Sequence, residues 1–239
     1  MKRELLRIMK MPLYWLVIGG GMTIRLVFAY FDRLYRQDSF WNSFADFWNK
    51  IGAFTMAVLI LVVLIRLFSM DREHGVQDVI SSTMLGRRNL FLYRLFAVVT
   101  GACIGVSVLA AANTILSALF GQGIALNNEW IMAFLTRTGI ALCGSVGLSV
   151  VAGAICDISK SQPVTLCICG IPFIISIFVN ADVVRPFELF WFFRYGFFTE
   201  LMRGRLLQSM LGFWVIWYST ILVLALAIAI AKRKERKEL

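Results

Sequence analysis

The residues able to do chemistry are few, and their types narrow what the chain can do. There is one histidine, His74, and there are five cysteines: Cys103, Cys143, Cys156, Cys167 and Cys169. None of the cysteines stands in a CxxC pair, and each lies in or beside an apolar run. Zinc or haem ligation is unsupported by such a set, and small thiols used for packing are the simpler reading. Ser145 in Gly144-Ser145-Val146-Gly147 would need a nearby base to act as a nucleophile, but His74 belongs to a distant charged segment. No GxxxxGK[ST] occurs, so no nucleotide site is expected in this chain. The chain reads as no enzyme and as binding no cofactor of its own. What remains is charge in apolar surroundings. Arg25 and Arg137 lie inside long apolar stretches, where an arginine costs about 3 kcal/mol at mid-membrane on insertion scales. Either they reach out to the headgroups, or they line a translocation path, or Arg137 pairs with an acid such as Glu129 or Glu200. Asn113 and Thr114 suit bonds between helices, or a place on the same path.

The elements that must hold these residues are membrane spans. The 239 residues are 59% hydrophobic and only 16% charged, against about 25% charged in a soluble domain. The charge-free run from Leu206 to Ala231 outlasts the ~20 residues that cross a bilayer. The expected fold is an all-α integral membrane protein with six transmembrane helices, at 11–31, 50–68, 92–120, 130–155, 163–180 and 207–231. An interfacial helix over 1–10 precedes them, with Leu5, Ile8 and Met9 on one face. Pro163 suits the first turn of the fifth span. Phe40, Trp41, Phe44, Phe47 and Trp48 predict an aromatic helix lying in the outer interface. Residues 185–205 read as an apolar re-entrant or interfacial hairpin between spans five and six. Gly101 and Gly105, and the set Gly139, Gly144 and Gly147, allow close helix packing, within the chain or between subunits. The net charge of +10 would suggest nucleic acid in a soluble protein. Here the cations flank apolar runs and report orientation instead. With both termini inside, inner segments hold fifteen Lys and Arg and outer segments seven, the bias expected of a cytoplasmic side.

One polar stretch breaks the apolar pattern: DREHGVQDVISSTMLGRRNLFLYR, residues 71–94. Val76, Val79, Ile80, Thr83 and Met84 recur at helical spacing, and Gly86-Arg87-Arg88 is expected to end that helix. It suits either the headgroup surface or a groove on a cytoplasmic protein. Glu73-x-Gly75, then Ser82, Arg87 and Arg94, resembles the segment after the second span of type-2 ABC transporter permeases. Met84 stands where that family often has proline, and Gly86 where it often has serine. The spacing from Gly75 to Arg87 and Arg94, the six spans and the apolar hairpin extend the resemblance over the whole chain.

The resemblance implies that residues 71–91 form a cytoplasmic coupling segment docked on an ABC-type ATPase subunit. It implies two ATPase copies, which bind ATP and Mg, and a second permease copy, identical or related. The expected docking residues are Arg72, Glu73, Gly75, Val79, Ile80, Ser82, Met84, Arg87 and Arg88. Arg137, Asn113 and Arg25 are the candidates for a translocation path. The expected function is export of a hydrophobic or amphipathic compound, such as a peptide, antibiotic or lipid-like molecule, across a prokaryotic plasma membrane. The alternative is a membrane scaffold or sensor that docks an ATPase without transporting. The outer aromatic segments either anchor the chain or contact cargo. A channel is disfavoured because no ring-forming polar span or filter is evident.

Overall fold

Runs of apolar residues free of proline leave the backbone in a bilayer one economical choice, to satisfy its own hydrogen bonds as helix. The computed structural model describes residues 2–35, 40–73, 84–120, 128–159, 161–171 and 199–203, and nearly all of them are helical. In chain order, α1 is Lys2–Met9, α2 Pro12–Tyr35 and α3 Phe40–Phe47. A π-helical turn, Trp48–Gly52, leads into α4, Ala53–Glu73. Then come α5 (Met84–Phe120), α6 (Asn128–Ser159) and the short α7 (Gln162–Thr165), which runs into a second π-helical turn, Leu166–Gly170. Finally, α8 covers Thr199–Met202.

Three of these helices are long and apolar enough to cross a bilayer: Pro12–Phe31 in α2, Phe91–Phe120 in α5 and Phe134–Asp157 in α6. They coincide with the expected first, third and fourth spans. The apolar part of α4, Ala53–Phe68, is shorter. Its helical winding begins in the π turn, where the sequence placed the start of a second span. The fifth expected span is described only as far as Ile171. The sixth lies outside the described residues, as does most of the 185–205 hairpin.

The hub is α5, which packs on α1, α2, α3, α4 and α6; α6 in turn packs on α4, α5 and α8. Leu59, Leu64, Val106, Leu109, Leu148 and Ala152 belong to the shared core. By contrast α2 is peripheral: Leu13, Leu16, Ile24, Val27, Phe28 and Phe31 remain exposed along it, as expected of a lipid-facing side. Close approach depends on small residues. A methyl group added at Gly105 would lie 2.6 Å from Leu59 Cδ2, and one at Gly144 only 2.7 Å from the Met202 backbone nitrogen. Both glycines therefore pack within the chain, whereas Gly139 has nothing within 4 Å.

The amphipathic α1 is docked, not loose. Ile8 is fully buried and touches the face of α5 at Gly101. Tyr14 Oη donates to the Gly101 carbonyl at 2.9 Å, and Trp15 Nε1 to the Met9 carbonyl at 2.8 Å. On the exposed side Arg7 pairs with Glu4 at 3.4 Å, a contact worth little in water.

One of two junctions differs from expectation. The helix α5 begins at Met84, so Gly86, Arg87 and Arg88 stand inside it and do not end a preceding helix. A single glycine costs an α-helix only about 1 kcal/mol, and the flanking Leu and Arg residues favour helix. Pro163 does sit in the first turn of α7, which needs no amide there. That turn is wrapped by hydroxyls: Thr165 Oγ1 donates to the Ser161 carbonyl at 3.0 Å, and Ser159 Oγ to the same carbonyl at 3.2 Å.

Candidate functional site

The most developed polar site lies where α2, α3 and α5 meet. Arg25 projects from α2 roughly 9 Å before the span's end at Phe31, taking 1.5 Å per residue. Its side chain is not extended to a surface: the residue is 1% exposed. The expectation that it reaches the headgroups therefore does not hold. The reason is that acceptors converge on it from two elements, α3 and α5. Arg25 Nε donates to Asn113 Oδ1 at 2.9 Å. Arg25 Nη2 donates to Ser43 Oγ at 2.6 Å, to the Ser43 carbonyl at 3.0 Å and to Ser117 Oγ at 3.1 Å. Asn113 completes the knot by donating from Nδ2 to the Phe44 carbonyl at 3.1 Å. Ser117 Oγ lies one turn further along α5 and donates to Asn113 Oδ1 at 3.5 Å.

The energetics follow from burial. A guanidinium taken out of water is tolerated only when its donors are met by well-placed acceptors. The fork geometry suits that, because several planar N–H groups can serve different partners at once. Asn113, Ser43 and Ser117 are themselves buried. Removing one member therefore strands the others in a low-dielectric interior, where a polar group is most costly. Of the readings the sequence left open for Asn113, the structure shows the bond between helices. Thr114 instead bonds its own helix, Oγ1 to the Ala110 carbonyl at 2.7 Å.

Rings close around this knot. Phe44 stacks on Trp41 with centroids 5.5 Å apart, and meets Phe134 of α6 at 5.2 Å. Phe47 and Trp48 pack edge to face at 5.4 Å. Phe44, Phe47 and Trp48 are buried, and Asn42 is exposed. The aromatic helix exists as expected, but its rings are turned into the bundle.

Arg137, on α6, is half-buried and donates from Nη2 to Asn49 Oδ1 at 3.3 Å. Its sequence-based acid candidates, Glu129 and Glu200, have side chains outside the described residues. Nothing in the local sequence signalled Asn49, which lies 88 positions away. The structure thus brings Arg25 and Asn113 into one site and sets Arg137 against the far end of the same aromatic segment.

At the opposite end of α5, Arg94 is buried, with its guanidinium carbon 5.5 Å from the centre of the Phe68 ring on α4. Phe91 packs edge to face on Phe68 at 6.1 Å. Arginine over a ring face is attracted by the ring quadrupole, about 2 kcal/mol when desolvated. These residues fasten α4 to α5 beside the polar stretch. Arg72 and Glu73 are on the last turn of α4, and Met84, Arg87 and Arg88 on the first turns of α5. Gly75, Val79, Ile80 and Ser82 lie outside the described residues. Among the described residues no cluster of three or more His, Cys, Asp or Glu could hold a metal ion. Among the described residues the five cysteines form no disulfide. In comparisons with known proteins, no family model, no curated protein and no solved structure matches the chain.

Proposed function

We propose that this chain is the membrane-spanning permease subunit of an ATP-driven exporter that resembles the type-2 ABC family. The observation behind the reading is the residue order Glu73-x-Gly75, Ser82, Arg87 and Arg94 between two apolar helices. The fastening of α4 to α5 through Phe68, Phe91 and Arg94 supports it. Helices tied together on both sides of a docking segment would move with it as a unit. In this reading residues 71–91 dock on a cytoplasmic ATPase, with Arg72, Glu73, Arg87 and Arg88 making polar contacts. Val79, Ile80 and Met84 fill its groove.

In this reading six spans put both termini on one side, and the excess of Lys and Arg there makes that side the cytoplasm of a prokaryotic cell. Two such permeases, identical or related, work with two ATPase copies that bind ATP and Mg. ATP shifts the spans only through its different affinity for two states of the assembly. The cargo class is hydrophobic or amphipathic. The complete burial of Arg25 and Asn113 favours a positioning role for them, which leaves half-buried Arg137 as the better candidate to face cargo.

The test is a pull-down in mild detergent from native membranes, comparing wild type with a chain carrying Glu73→Ala and Ile80→Asp. An ABC-type ATPase should accompany wild type and be lost from the variant. Absence of any ATPase from the wild-type sample would end this reading. Docking without transport, the scaffold or sensor alternative, would give the same pull-down. It separates in a vesicle assay, where ATP would drive no accumulation of amphipathic dye or peptide.

A further inference from the structure

The aromatic helix over Phe40, Trp41, Phe44, Phe47 and Trp48 is expected from its pattern to lie in the outer membrane interface, and an interfacial helix of that kind can slide and tilt. Its environment here is different. Arg25 from α2 holds the Ser43 side chain and carbonyl at 2.6 and 3.0 Å. Asn113 from α5 holds the Phe44 carbonyl at 3.1 Å and is itself bonded to Arg25 at 2.9 Å. Two successive backbone carbonyls of α3 are thus tied to side chains of two different membrane helices. They precede the change from α to π winding at Trp48, where the hydrogen-bond register shifts and carbonyls have acceptor capacity to spare. Phe44, Phe47 and Trp48 are buried on the same side, so apolar burial and polar bonding hold the segment in one orientation.

We propose that Arg25 is the positioning residue of a fixed cap. Arg25 and Asn113 make Phe40–Gly52 move as one body with α2 and α5, and hold it against sliding over the membrane surface. The physical reason is directional. Rings alone can slip past one another, but a buried guanidinium bonded to Ser43, Asn113 and Ser117 cannot lose its acceptors without being stranded in apolar surroundings. Arg137 from α6 meets the far end of this cap at Asn49, so the cap also touches α6. The inference does not depend on transport or on an ATPase.

Hydrogen exchange on the full chain in lipid nanodiscs, read by mass spectrometry, tests it. In Arg25→Leu, peptides covering 40–52 should exchange at least tenfold faster than in wild type, while peptides within 134–157 stay unchanged. Unchanged exchange over 40–52 would overturn the proposal. So would an equal rise throughout α5 and α6, because Arg25 would then be a general packing element. If Arg25→Leu is not recovered as folded protein, Ser43→Ala decides. It removes only the 2.6 Å partner and should speed exchange over 40–52 about threefold or more, and no change there overturns the proposal.

Discussion

At the scale of single residues, the glycines show how closely these helices approach. Gly144 and Gly139 lie on the same helix in similar sequence surroundings, yet only Gly144 faces neighbouring backbone. A methyl group there would sit 2.7 Å from the Met202 nitrogen and 2.8 Å from Leu201 Cβ. Backbone yields less readily than the tip of a side chain, so Gly144→Ala should cost about 1–3 kcal/mol through overpacking. Gly139→Ala, with open space around it, should be neutral or stabilise by up to about 1 kcal/mol through helix propensity. Thermal unfolding in detergent micelles checks the pair, and equal midpoints would contradict the packing of α6 on α8. The knot makes a comparable case. A double-mutant cycle between Arg25→Leu and Asn113→Leu should return a coupling on the order of 1–3 kcal/mol, since each single change strands the other partner. The sequence marked Arg25 as costly but not which way it would turn. Its acceptors lie 18, 88 and 92 positions away, beyond what local periodicity reports.

At the scale of elements, the helices legible in the sequence are those whose apolar run exceeds the membrane thickness. The expected spans 11–31, 92–120 and 130–155 fall within α2, α5 and α6 except for Met11, because length and composition alone dictate them. Ends and local winding were less legible. The π turn at Trp48–Gly52 has no sequence signature, and the start of α5 at Met84 overrode Gly86 as a stop. The N-terminal helix was legible as amphipathic, but its partner was not. Its pattern suits lipid headgroups, yet its buried face meets α5. This distinction is measurable on one helix. Ile8→Asp places a carboxylate in the α1–α5 contact and should cost about 3 kcal/mol or more. Trypsin should then cut after Arg7 and Lys10 on the order of a hundredfold faster, since each 1.4 kcal/mol shifts the undocking equilibrium about tenfold. Leu6→Asp, on the exposed side of the same helix, should leave the cutting rate close to wild type. Equal effects would mean that α1 rests on lipid and not on α5.

At the scale of the whole molecule, the contacts that define the bundle join distant parts of the chain. Tyr14 bonds Gly101 across 87 positions, Arg25 bonds Asn113 across 88, and Arg137 bonds Asn49 across 88. A chain made from its N-terminus must therefore handle Arg25 before most of its acceptors exist. At typical synthesis rates the interval from Arg25 to Asn113 is roughly 4 to 18 s. During that time α2 carries a guanidinium that is unfavourable in lipid by about 3 kcal/mol. The nascent helix should therefore linger beside the insertion machinery, or insert only in part, until α5 emerges to receive it. Chains truncated before Asn113, carrying a reporter of membrane insertion after α2, should insert α2 less completely than chains that extend past Phe120. In the truncated chains Arg25→Leu should restore insertion. The same arginine that fixes the finished cap would thus set a checkpoint in biogenesis, delaying commitment of the first helix until its later partner has been made.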